Sequence, residues 1–509
     1  MSEKLNVLFI NTDQQRYDHM GCSGNALLKT PNLDKLSSEG VHFTNAFCTN
    51  PMCMPNRATL LTGLYPNVHG VRSNGMILSK DVPTITQTLV KRGWYTAAFG
   101  KLHHQFNVAP YKSYYKSAEC FQDWVFPDGT NKFVGKNFPI PYYGYNEVET
   151  VLGHGACLCG HYLDWLEEKS PKHAKKMRNR WKTNDNFFAI FTEHELPVEL
   201  YSTAYVKDQT IAFLERHANG DYGKKPFYVH CSFPDPHQPV WPPGRYKDMY
   251  KPEDIELPKN FSDLKILRSH PYLAPYINIM PGAILRETTE EEAKKFIAYT
   301  YGTLSLLDHS IGQILAALEK LGYSDNTIVV FTSDHGDLMG EHGMLFKGPS
   351  TYNGVFHIPM IWKVPELTNS GRTDALMSSI DYPKTLLNIL GINEHHQPPN
   401  MQGYDLTLVL KDPENIDIQP RDCCFIENDE EVGALNVRLR HLITKEYKLT
   451  IYRDLDNFGD VFDRKNDPLE INNLWYNEEF KDKRFQLVNK LLHENLRAQT
   501  KYPKRIAGT

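Results

Sequence analysis

Residues 6–14 read Asn6-Val7-Leu8-Phe9-Ile10-Asn11-Thr12-Asp13-Gln14, a continuous apolar run closed by an acid and an amide. A run that is apolar at successive positions is typical of a strand covered on both faces, as in the interior of a parallel sheet. Residues 327–336 repeat the pattern, because the apolar stretch 327–331 is followed by Thr332-Ser333-Asp334-His335-Gly336. Two such strands predict a buried parallel sheet with polar groups at its strand ends.

Strand and helix signals alternate along the chain on either side of these two runs. Short strands are expected at 41–43, 95–99 and 226–232, and shorter helices at 32–36, 56–64 and 82–92. A long helix follows Thr289, with apolar residues at helical spacing as far as Leu318. This alternation predicts an α/β fold in which one large, mostly parallel sheet is sandwiched between helices.

The pattern changes in the last fifth of the chain. Residues 1–400 are interpreted as the α/β domain that carries the site, and residues 401–509 as a smaller C-terminal α+β domain. The smaller domain is expected to contain antiparallel strands at 437–443 and 447–451 and a final helix near 478–498. The sequence therefore predicts two domains of unequal size.

Residues 104–200 have no clear period and are rich in aromatic side chains, histidine and lysine. We interpret them as a region inserted near the site. Within it, His154-Gly155-Ala156-Cys157-Leu158-Cys159-Gly160-His161 is dense in potential soft-metal ligands. Because its spacing fits no zinc pattern, we interpret this segment as a structural loop rather than a metal site.

The composition is that of a globular protein, with 41% hydrophobic and 23% charged residues among 509. The net charge of −5, without a long basic run, gives no sign of a nucleic-acid partner. No stretch reaches the length of a membrane span, and the start Met-Ser-Glu-Lys does not resemble a signal peptide. We therefore expect a cytoplasmic protein with neither a nucleic-acid nor a membrane partner.

The polar residues that follow the two apolar strands are expected to converge. Ligands of open α/β sheets bind at the carboxyl ends of the strands, which would bring Asp13, Gln14, Asp334 and His335 together. Carboxylate and amide oxygens with one imidazole suit a hard divalent cation. Either segment taken alone leaves open the alternative that its aspartate caps the following turn.

A third segment reads Cys53-Met54-Pro55-Asn56-Arg57-Ala58-Thr59-Leu60-Leu61-Thr62-Gly63. A cysteine followed by proline and a helix is expected at a helix N-terminus, where backbone N–H groups attract anions. Arg57 adds a fixed positive charge nearby. The pentapeptide Cys53 to Arg57 taken alone leaves open the alternative that Cys53 is one more buried thiol.

Further segments stand in a characteristic order around Cys53. They are Thr30-Pro31-Asn32-Leu33-Asp34, Gly40-Val41-His42-Phe43-Thr44-Asn45-Ala46, Gly93-Trp94-Tyr95-Thr96-Ala97-Ala98-Phe99-Gly100-Lys101-Leu102-His103, Gly340-Glu341-His342 with Lys347, and Asp463 with Asn466-Asp467-Pro468, Glu470 and Asn473-Leu474. With the two strand ends and the Cys53 segment, they resemble the type I sulfatase family of the alkaline phosphatase superfamily. The resemblance covers nearly the whole chain except residues 104–200.

The resemblance implies a modified nucleophile and a bound cation. A separate maturation enzyme would oxidise Cys53 to formylglycine, whose hydrate would supply the attacking oxygen. One Ca²⁺, or Mg²⁺ or Mn²⁺ in its place, would be bound by the matured Cys53 together with Asp13, Gln14, Asp334 and His335. Many family members have Asp where Gln14 stands and Asn where His335 stands, so the ligand set of this chain is less negative.

The resemblance also implies roles for cationic side chains and histidines. Arg57 would hold the nucleophile and stabilise charge, and Lys101 would bind sulfate oxygens. His103 would accept the proton whose removal releases sulfate. His237 and Lys347 would stand at the leaving group, where one or both would donate a proton or neutralise the developing alkoxide.

The predicted function is that of an enzyme, a sulfuric ester hydrolase of arylsulfatase type that releases sulfate from a small aryl, alkyl or sugar ester. The alternative is a phosphonate monoester or phosphodiester hydrolase that uses the same formylglycine. Those relatives tend to lack the lysine and histidine of Gly-Lys-x-His, and both Lys101 and His103 are present here. A third hypothesis is a non-catalytic anion-binding relative that kept the fold.

Some points are left open by the sequence. Asn74 resembles a sulfate-contacting asparagine of some bacterial members, and it also fits a turn residue in Ser73-Asn74-Gly75. The sequence does not predict which of His237 and Lys347 is the general acid, what the alcohol portion of the substrate is, or whether the chain forms a homo-oligomer. It also leaves open whether Cys53 is converted.

Overall fold

The computed structural model describes residues 4–108, 116–125, 138–183, 189–279, 285–431 and 436–499. Within these ranges the strands are β1 (Asn6–Thr12), β2 (Val41–Phe47), β3 (Tyr95–Gly100), β4 (Glu147–Thr150), β5 (Leu152–His154), β6 (Cys157–Cys159), β7 (Phe227–Ser232), β8 (Arg286–Glu287), β9 (Thr327–Ser333), β10 (Met344–Leu345), β11 (Met360–Lys363), β12 (Gly371–Ser378), β13 (Cys424–Glu430), β14 (Val437–Ile443), β15 (Tyr447–Tyr452) and β16 (Gly459–Asp463). The α-helices are α1 (Pro31–Glu39), α2 (Cys53–Thr62), α3 (Pro66–His69), α4 (Ile85–Lys91), α5 (Phe121–Val125), α6 (His161–Lys169), α7 (Pro171–Thr183), α8 (Ser202–Ala218), α9 (Leu264–Arg268), α10 (Glu290–Lys320), α11 (Asp381–Ile389), α12 (Thr407–Lys411) and α13 (Lys481–Arg497). None of these helices has both the length and the apolar character needed to cross a membrane.

The main sheet has eight strands in the order β12-β2-β11-β9-β1-β7-β3-β4. Neighbouring strands are parallel except at β11, which runs antiparallel to β9 and β2. β1 lies in the interior of the sheet, and its residues Val7, Leu8, Phe9 and Ile10 are at most 1% exposed. Helices flank the sheet, so the predicted α/β fold with a mostly parallel sheet is confirmed.

Strand register explains why distant segments meet at one edge of this sheet. Thr12 of β1 pairs with Ser333 of β9, and Asn11 with Ser232 of β7. β3 ends opposite Ser232 as well, at Gly100, whose φ is 107°. A side chain at that position would place its Cβ 1.7 Å from the Ser232 carbonyl oxygen, so only glycine allows this approach. The segments after β1, β3, β7 and β9 therefore leave the sheet side by side.

The C-terminal sheet is an antiparallel meander of β13, β14, β15 and β16. β14 and β15 form the hairpin that the sequence predicts. Alternate residues face opposite sides, as in a sheet buried on both faces. Ile426 and Leu439 join the main core, whereas Phe425 and Leu442 pack with Leu487 of α13. One face of this sheet thus packs against the main core. The domain boundary at residue 400 stays a prediction.

The described part of residues 104–200 is built onto the main sheet. β4 is its edge strand and runs parallel to β3. The sequence pattern misses β4 because a four-residue strand is too short to show a period. β5 and β6 then form an antiparallel hairpin, in which β5 ends at His154. Residues 109–115, 126–137 and 184–188 of this region lie outside the described residues.

Candidate active site

Cys53 is the first residue of α2 and is 2% exposed. Met52 before it is extended, with φ −119° and ψ 145°, so the helix starts abruptly at the cysteine. The side chain of Asn56 ties this helix turn to the main sheet. Its amide N–H donates to the Asp334 carbonyl at 2.5 Å, and its Oδ1 accepts from the Ser379 hydroxyl at 2.6 Å. Cys53 therefore lies at a helix N-terminus, as predicted.

The Cys53 thiol lies among polar groups from three strand ends. Its Sγ is 3.1 Å from His335 Nε2, 3.2 Å from Lys347 Nζ and 3.8 Å from Asp13 Oδ1. Burial and the Asp13 carboxylate oppose ionisation, but Lys101, Lys347 and His335 outweigh them. The pKa of the thiol is therefore lowered from its ordinary value.

Arg57 links the two buried aspartates one helical turn beyond Cys53. Its Nε donates to Asp334 Oδ2 at 2.7 Å, and its Nη2 donates to Asp13 Oδ2 at 3.2 Å. Nη1 donates to the Lys101 carbonyl at 2.7 Å and to the Ser232 hydroxyl at 2.9 Å. This guanidinium, 2% exposed, holds the ends of β1, β3, β7 and β9 in one arrangement.

The donor atoms present fit a hard divalent cation. Ligand atoms of Asp13, Cys53, Asp334 and His335 all lie within 4.8 Å of one another, and all four residues are buried. In the tautomer in which His335 Nδ1 donates to the Gly336 carbonyl at 2.9 Å, Nε2 carries the lone pair, and this atom lies 3.6 Å from Asp334 Oδ1. Two carboxylates and one imidazole are common ligands of such a cation.

Gln14 adds an amide oxygen to this cluster. Its backbone lies in the left-handed region, with a φ of 69°. Its Nε2 donates to Gln238 Oε1 at 2.6 Å and to Asp337 Oδ2 at 2.5 Å, which leaves Oε1 to accept from Lys347 Nζ at 2.9 Å. The oxygen atom of Gln14 therefore faces Lys347 and the metal-ligand candidates, although Gln238 and Asp337 were not predicted as site residues.

Two histidines and two lysines close the open side of the cluster. Lys347 Nζ lies 2.9 Å from His237 Nε2 and 2.9 Å from His335 Nε2. The His237 ring stacks on His154, with ring centroids 3.7 Å apart and planes 14° apart. Lys101 Nζ contacts both Asp13 Oδ2 and His154 Nε2. These contacts make a continuous chain from Lys101 through His154 and His237 to Lys347.

The position of His154 corrects the sequence interpretation. We expected a structural loop at 154–161, yet His154 is part of the site. The hairpin of β5 and β6 brings it there, and glycines at φ 91° and 53° flank it. A Cβ on Gly155 would come within 2.2 Å of the Pro239 carbonyl oxygen, next to the His237 segment. A histidine between two glycines was the available signal, because such a pair allows close backbone approach.

His103 and Asn74 lie beside the cluster. His103 is buried, and its Nδ1 has no hydrogen-bond partner among the residues that the structure describes. Burial, with the charge of Lys101, holds the pKa of His103 well below its ordinary value, so the ring is neutral in this arrangement. Asn74 Oδ1 accepts from the Met54 N–H at 3.1 Å, which places this turn against the start of α2.

The chain matches two known protein families along most of its length. The family described as Sulfatase matches residues 5–392, and the family described as N-sulphoglucosamine sulphohydrolase, C-terminal, matches residues 340–500. An arylsulfatase of Clostridium perfringens is 29% identical over 499 residues, which are 97% of this chain and 94% of that protein. The sulfatase match covers well over half of the chain.

Solved structures show the same fold. A phosphonate monoester hydrolase of Agrobacterium radiobacter has a TM-score of 0.77 and 24% identity, with coverage of 98% of this chain and 97% of that chain. A protein solved in complex with its substrate D-glucosamine-2-N,6-O-disulfate has a TM-score of 0.71 and 21% identity, with coverage of 99% and 100%. With the family match over residues 5–392, these findings mean that the chain belongs to the sulfatase family and is a sulfuric ester hydrolase.

Proposed function

We propose that this enzyme hydrolyses its sulfate ester through a formylglycine made from Cys53 and a divalent cation, Ca²⁺ before Mg²⁺ or Mn²⁺. The cation would be held by Asp13, Gln14, Asp334 and His335. The observation that carries the proposal is the position of Cys53. It begins α2 within 3.2 Å of both His335 Nε2 and Lys347 Nζ, inside the cluster of ligand atoms.

The charge balance supports an anionic substrate. Asp13 and Asp334 are the two carboxylates of the ligand cluster, and they are paired with Arg57 and Lys101. Among the residues that the structure describes, the Lys347 ammonium contacts Gln14, Cys53 and two histidines and pairs with no carboxylate. Its positive charge therefore stays available to a sulfate group in a chain whose net charge is −5.

When present, the cation and the formylglycine hydrate would supply polarisation of the sulfate and the attacking hydroxyl. Arg57 would keep both carboxylates in place beside the nucleophile. Lys101, next to Asp13, would bind sulfate oxygens. Lys347 Nζ and His237 Nε2 lie 2.9 Å apart, and one or both of these groups would donate a proton to the leaving alcohol. His103, held neutral, would accept the proton whose removal releases sulfate.

A maturation enzyme is a required partner in this proposal. Cys53 is 2% exposed, and α2 is tied to the main sheet through Asn56. A second protein could not reach the thiol in the folded chain without opening the site. We infer that conversion takes place before this part of the chain folds.

Phosphonate ester hydrolysis is the second candidate. The chain shares its fold with a phosphonate monoester hydrolase. Gln14 and His335 are also compatible with this activity as metal ligands. Lys101 and His103 favour sulfate, because phosphonate hydrolases of this kind tend to lack the lysine and histidine of Gly-Lys-x-His, and both are present here.

Comparing kcat/KM for 4-nitrophenyl sulfate and an aryl phosphonate monoester in the matured enzyme tests this choice. We expect the sulfate to be the better substrate. A phosphonate preference would overturn sulfate hydrolysis as the main activity. Cys53→Ala is the control, and it should lose both activities.

A further inference from the structure

The C-terminal sheet reaches the site through two residues of β13. Asn428 and Glu430 are two positions apart, so their side chains point to the same face of the strand. They are 0% and 1% exposed. Asp429 between them points to the other face, where its Oδ1 accepts from Arg440 at 2.6 Å. The alternation therefore directs one amide and one carboxylate away from the ion pairs of this sheet.

Asn428 lies against the Lys347 side of the site. Its Nδ2 donates to the carbonyl of Gly348, the next residue after Lys347, at 3.1 Å. A carbonyl can only accept, so this contact fixes which end of the amide is which. Asn428 Oδ1 is buried and has no hydrogen-bond partner among the described residues.

Glu430 lies against the Cys53 side. Its Oε1 accepts from the Ser73 hydroxyl at 2.7 Å, and the next residue, Asn74, is bound to the start of α2. Its Oε2 is buried without a partner in the described chain. Burial raises the pKa of Glu430 to about 7, and the nearby Cys53 and Lys347 act on it in opposite directions. In its ionised form the carboxylate therefore offers Oε2 as an acceptor.

Unpaired buried acceptors are uncommon in native proteins, since leaving one without a donor destabilises the fold. Here two of them come from one strand face, one on the side chain that contacts Gly348 and one on the side chain that contacts the Ser73–Asn74 turn beside the start of α2. The side chains are also held in place, by Gly348 and by Ser73. Fixed acceptors beside a reaction site are what a ligand with several donor groups requires.

We propose that Asn428 Oδ1 and Glu430 Oε2 form a subsite that accepts hydrogen bonds from the alcohol portion of the substrate. This inference rests on the proposed sulfatase activity. The substrate class would be a sulfate ester of a polyhydroxylated alcohol, a sulfated sugar, rather than an aryl sulfate that has no donors. Two acceptors would select for neighbouring hydroxyl or amino groups, because a ligand without them leaves both oxygens unpaired.

The test is the ratio of kcat/KM values for a sugar sulfate and 4-nitrophenyl sulfate. The sugar substrates are glucose monosulfates with the ester on each hydroxyl in turn. We expect the matured enzyme to prefer at least one of them. Glu430→Gln and Asn428→Ala should each lower the sugar-to-aryl ratio by about tenfold or more, mainly through KM, which is the effect of losing one buried hydrogen bond.

The control is Glu431→Gln, the adjacent carboxylate, which is bound to Arg72 on the surface. It should leave the ratio within about twofold of the parent value. Folding of each variant is checked by its melting temperature. A ratio unchanged in folded Glu430→Gln and Asn428→Ala would overturn the subsite, as would a parent enzyme that hydrolyses the aryl sulfate and none of the sugars. If no sulfate ester is hydrolysed at all, the proposed activity itself fails.

Discussion

His154 acts on the site through its neighbours. It accepts from Lys101 Nζ at 2.5 Å and supports the His237 ring by stacking at 3.7 Å. Both contacts orient groups that would meet the substrate. We regard His154 as a positioning residue. Among the described residues, its loss would leave Lys101 Nζ with its contact to Asp13 alone and would remove the ring that stacks on His237.

We predict that His154→Ala lowers kcat/KM for an aryl sulfate by roughly 10- to 100-fold, because misplaced catalytic groups cost about that much. His154→Gln should recover part of the loss, since its amide can accept from Lys101. Steady-state kinetics on the matured enzyme checks this. His309→Ala, on the exposed side of α10, is the control, and parental activity in His154→Ala would contradict the assignment.

Arg57 stabilises two buried carboxylates that would otherwise repel each other. Replacing it by methionine removes the charge but keeps an apolar stem. We predict that Arg57→Met destabilises the protein by roughly 3–5 kcal/mol, the usual cost of leaving a buried charge unpaired. Adding Ca²⁺ should restore more stability to this variant than to the parent, because the cation replaces part of the missing charge.

Melting temperatures with and without Ca²⁺ measure that difference. Arg497→Met is a matched control, since the Arg497 side chain is 67% exposed and pairs with Glu494. Equal Ca²⁺ responses in the parent and in Arg57→Met would show that the guanidinium and the cation do not share the same carboxylates.

At the scale of elements, the link between α2 and β9 decides whether Cys53 meets the ligand cluster. The Asn56 side chain makes this link, with its amide N–H on the Asp334 carbonyl and its Oδ1 on Thr49 and Ser379. Asn56→Asp keeps the size but places an acceptor against a carbonyl.

We predict that Asn56→Asp lowers the free energy of unfolding by roughly 1–3 kcal/mol, which is measured as a lower melting temperature. The matched control is Asn369→Asp. The Asn369 amide makes the same kind of contact to the Lys411 carbonyl, at 2.8 Å, but on the surface, where water replaces it. A loss of similar size in both variants would argue against a special role for the buried link.

The main strands are readable from sequence because short, continuous apolar runs bounded by polar turn residues are typical of buried strands. β1 and β9 were predicted from their composition, and parallel pairing then implied that Asp13 and Asp334 would meet. β4 was missed because four residues carry too weak a pattern. The two glycines beside His154 indicate a close backbone approach, but local sequence does not specify which segment is approached, because that depends on how the β5–β6 hairpin packs in the fold.

The resemblance to a family supplied the remaining site positions. The structure brings Cys53, Arg57, Lys101 and Lys347 together with the strand-end ligands, as expected, while their chemical roles stay predictions. Gln238, Asp337, Asn428 and Glu430 were not predicted. Their contacts arise between segments far apart in the chain, so spacing alone gives no indication of them.

At the scale of the whole molecule, we expect the proposed cation to stabilise the folded state, because its ligands come from segments far apart in the chain. A ligand that binds only the folded state stabilises it by about 2.7 kcal/mol at 100 times its Kd. We predict that Ca²⁺ raises the melting temperature of the whole protein, that a chelator reverses the rise, and that Asp334→Asn reduces it. Asp374→Asn, a surface carboxylate bound to Lys445, should respond as the parent does.

Ca²⁺, Mg²⁺ and Mn²⁺ are compared in the same experiment, and the largest rise identifies the preferred ion. No rise with any of the three would contradict the cation site. The two-domain division and the cytoplasmic location stay predictions as well.

The central claim, hydrolysis through a formylglycine at position 53, is tested most directly by relating sulfate release to conversion of Cys53. Samples produced with different amounts of maturation enzyme are assayed for turnover of an aryl sulfate. The peptide containing residue 53 is measured by mass spectrometry for the loss of about 18 Da that conversion of thiol to aldehyde gives. We predict activity proportional to the converted fraction and close to zero without conversion. Equal activity in converted and unconverted samples would contradict the claim.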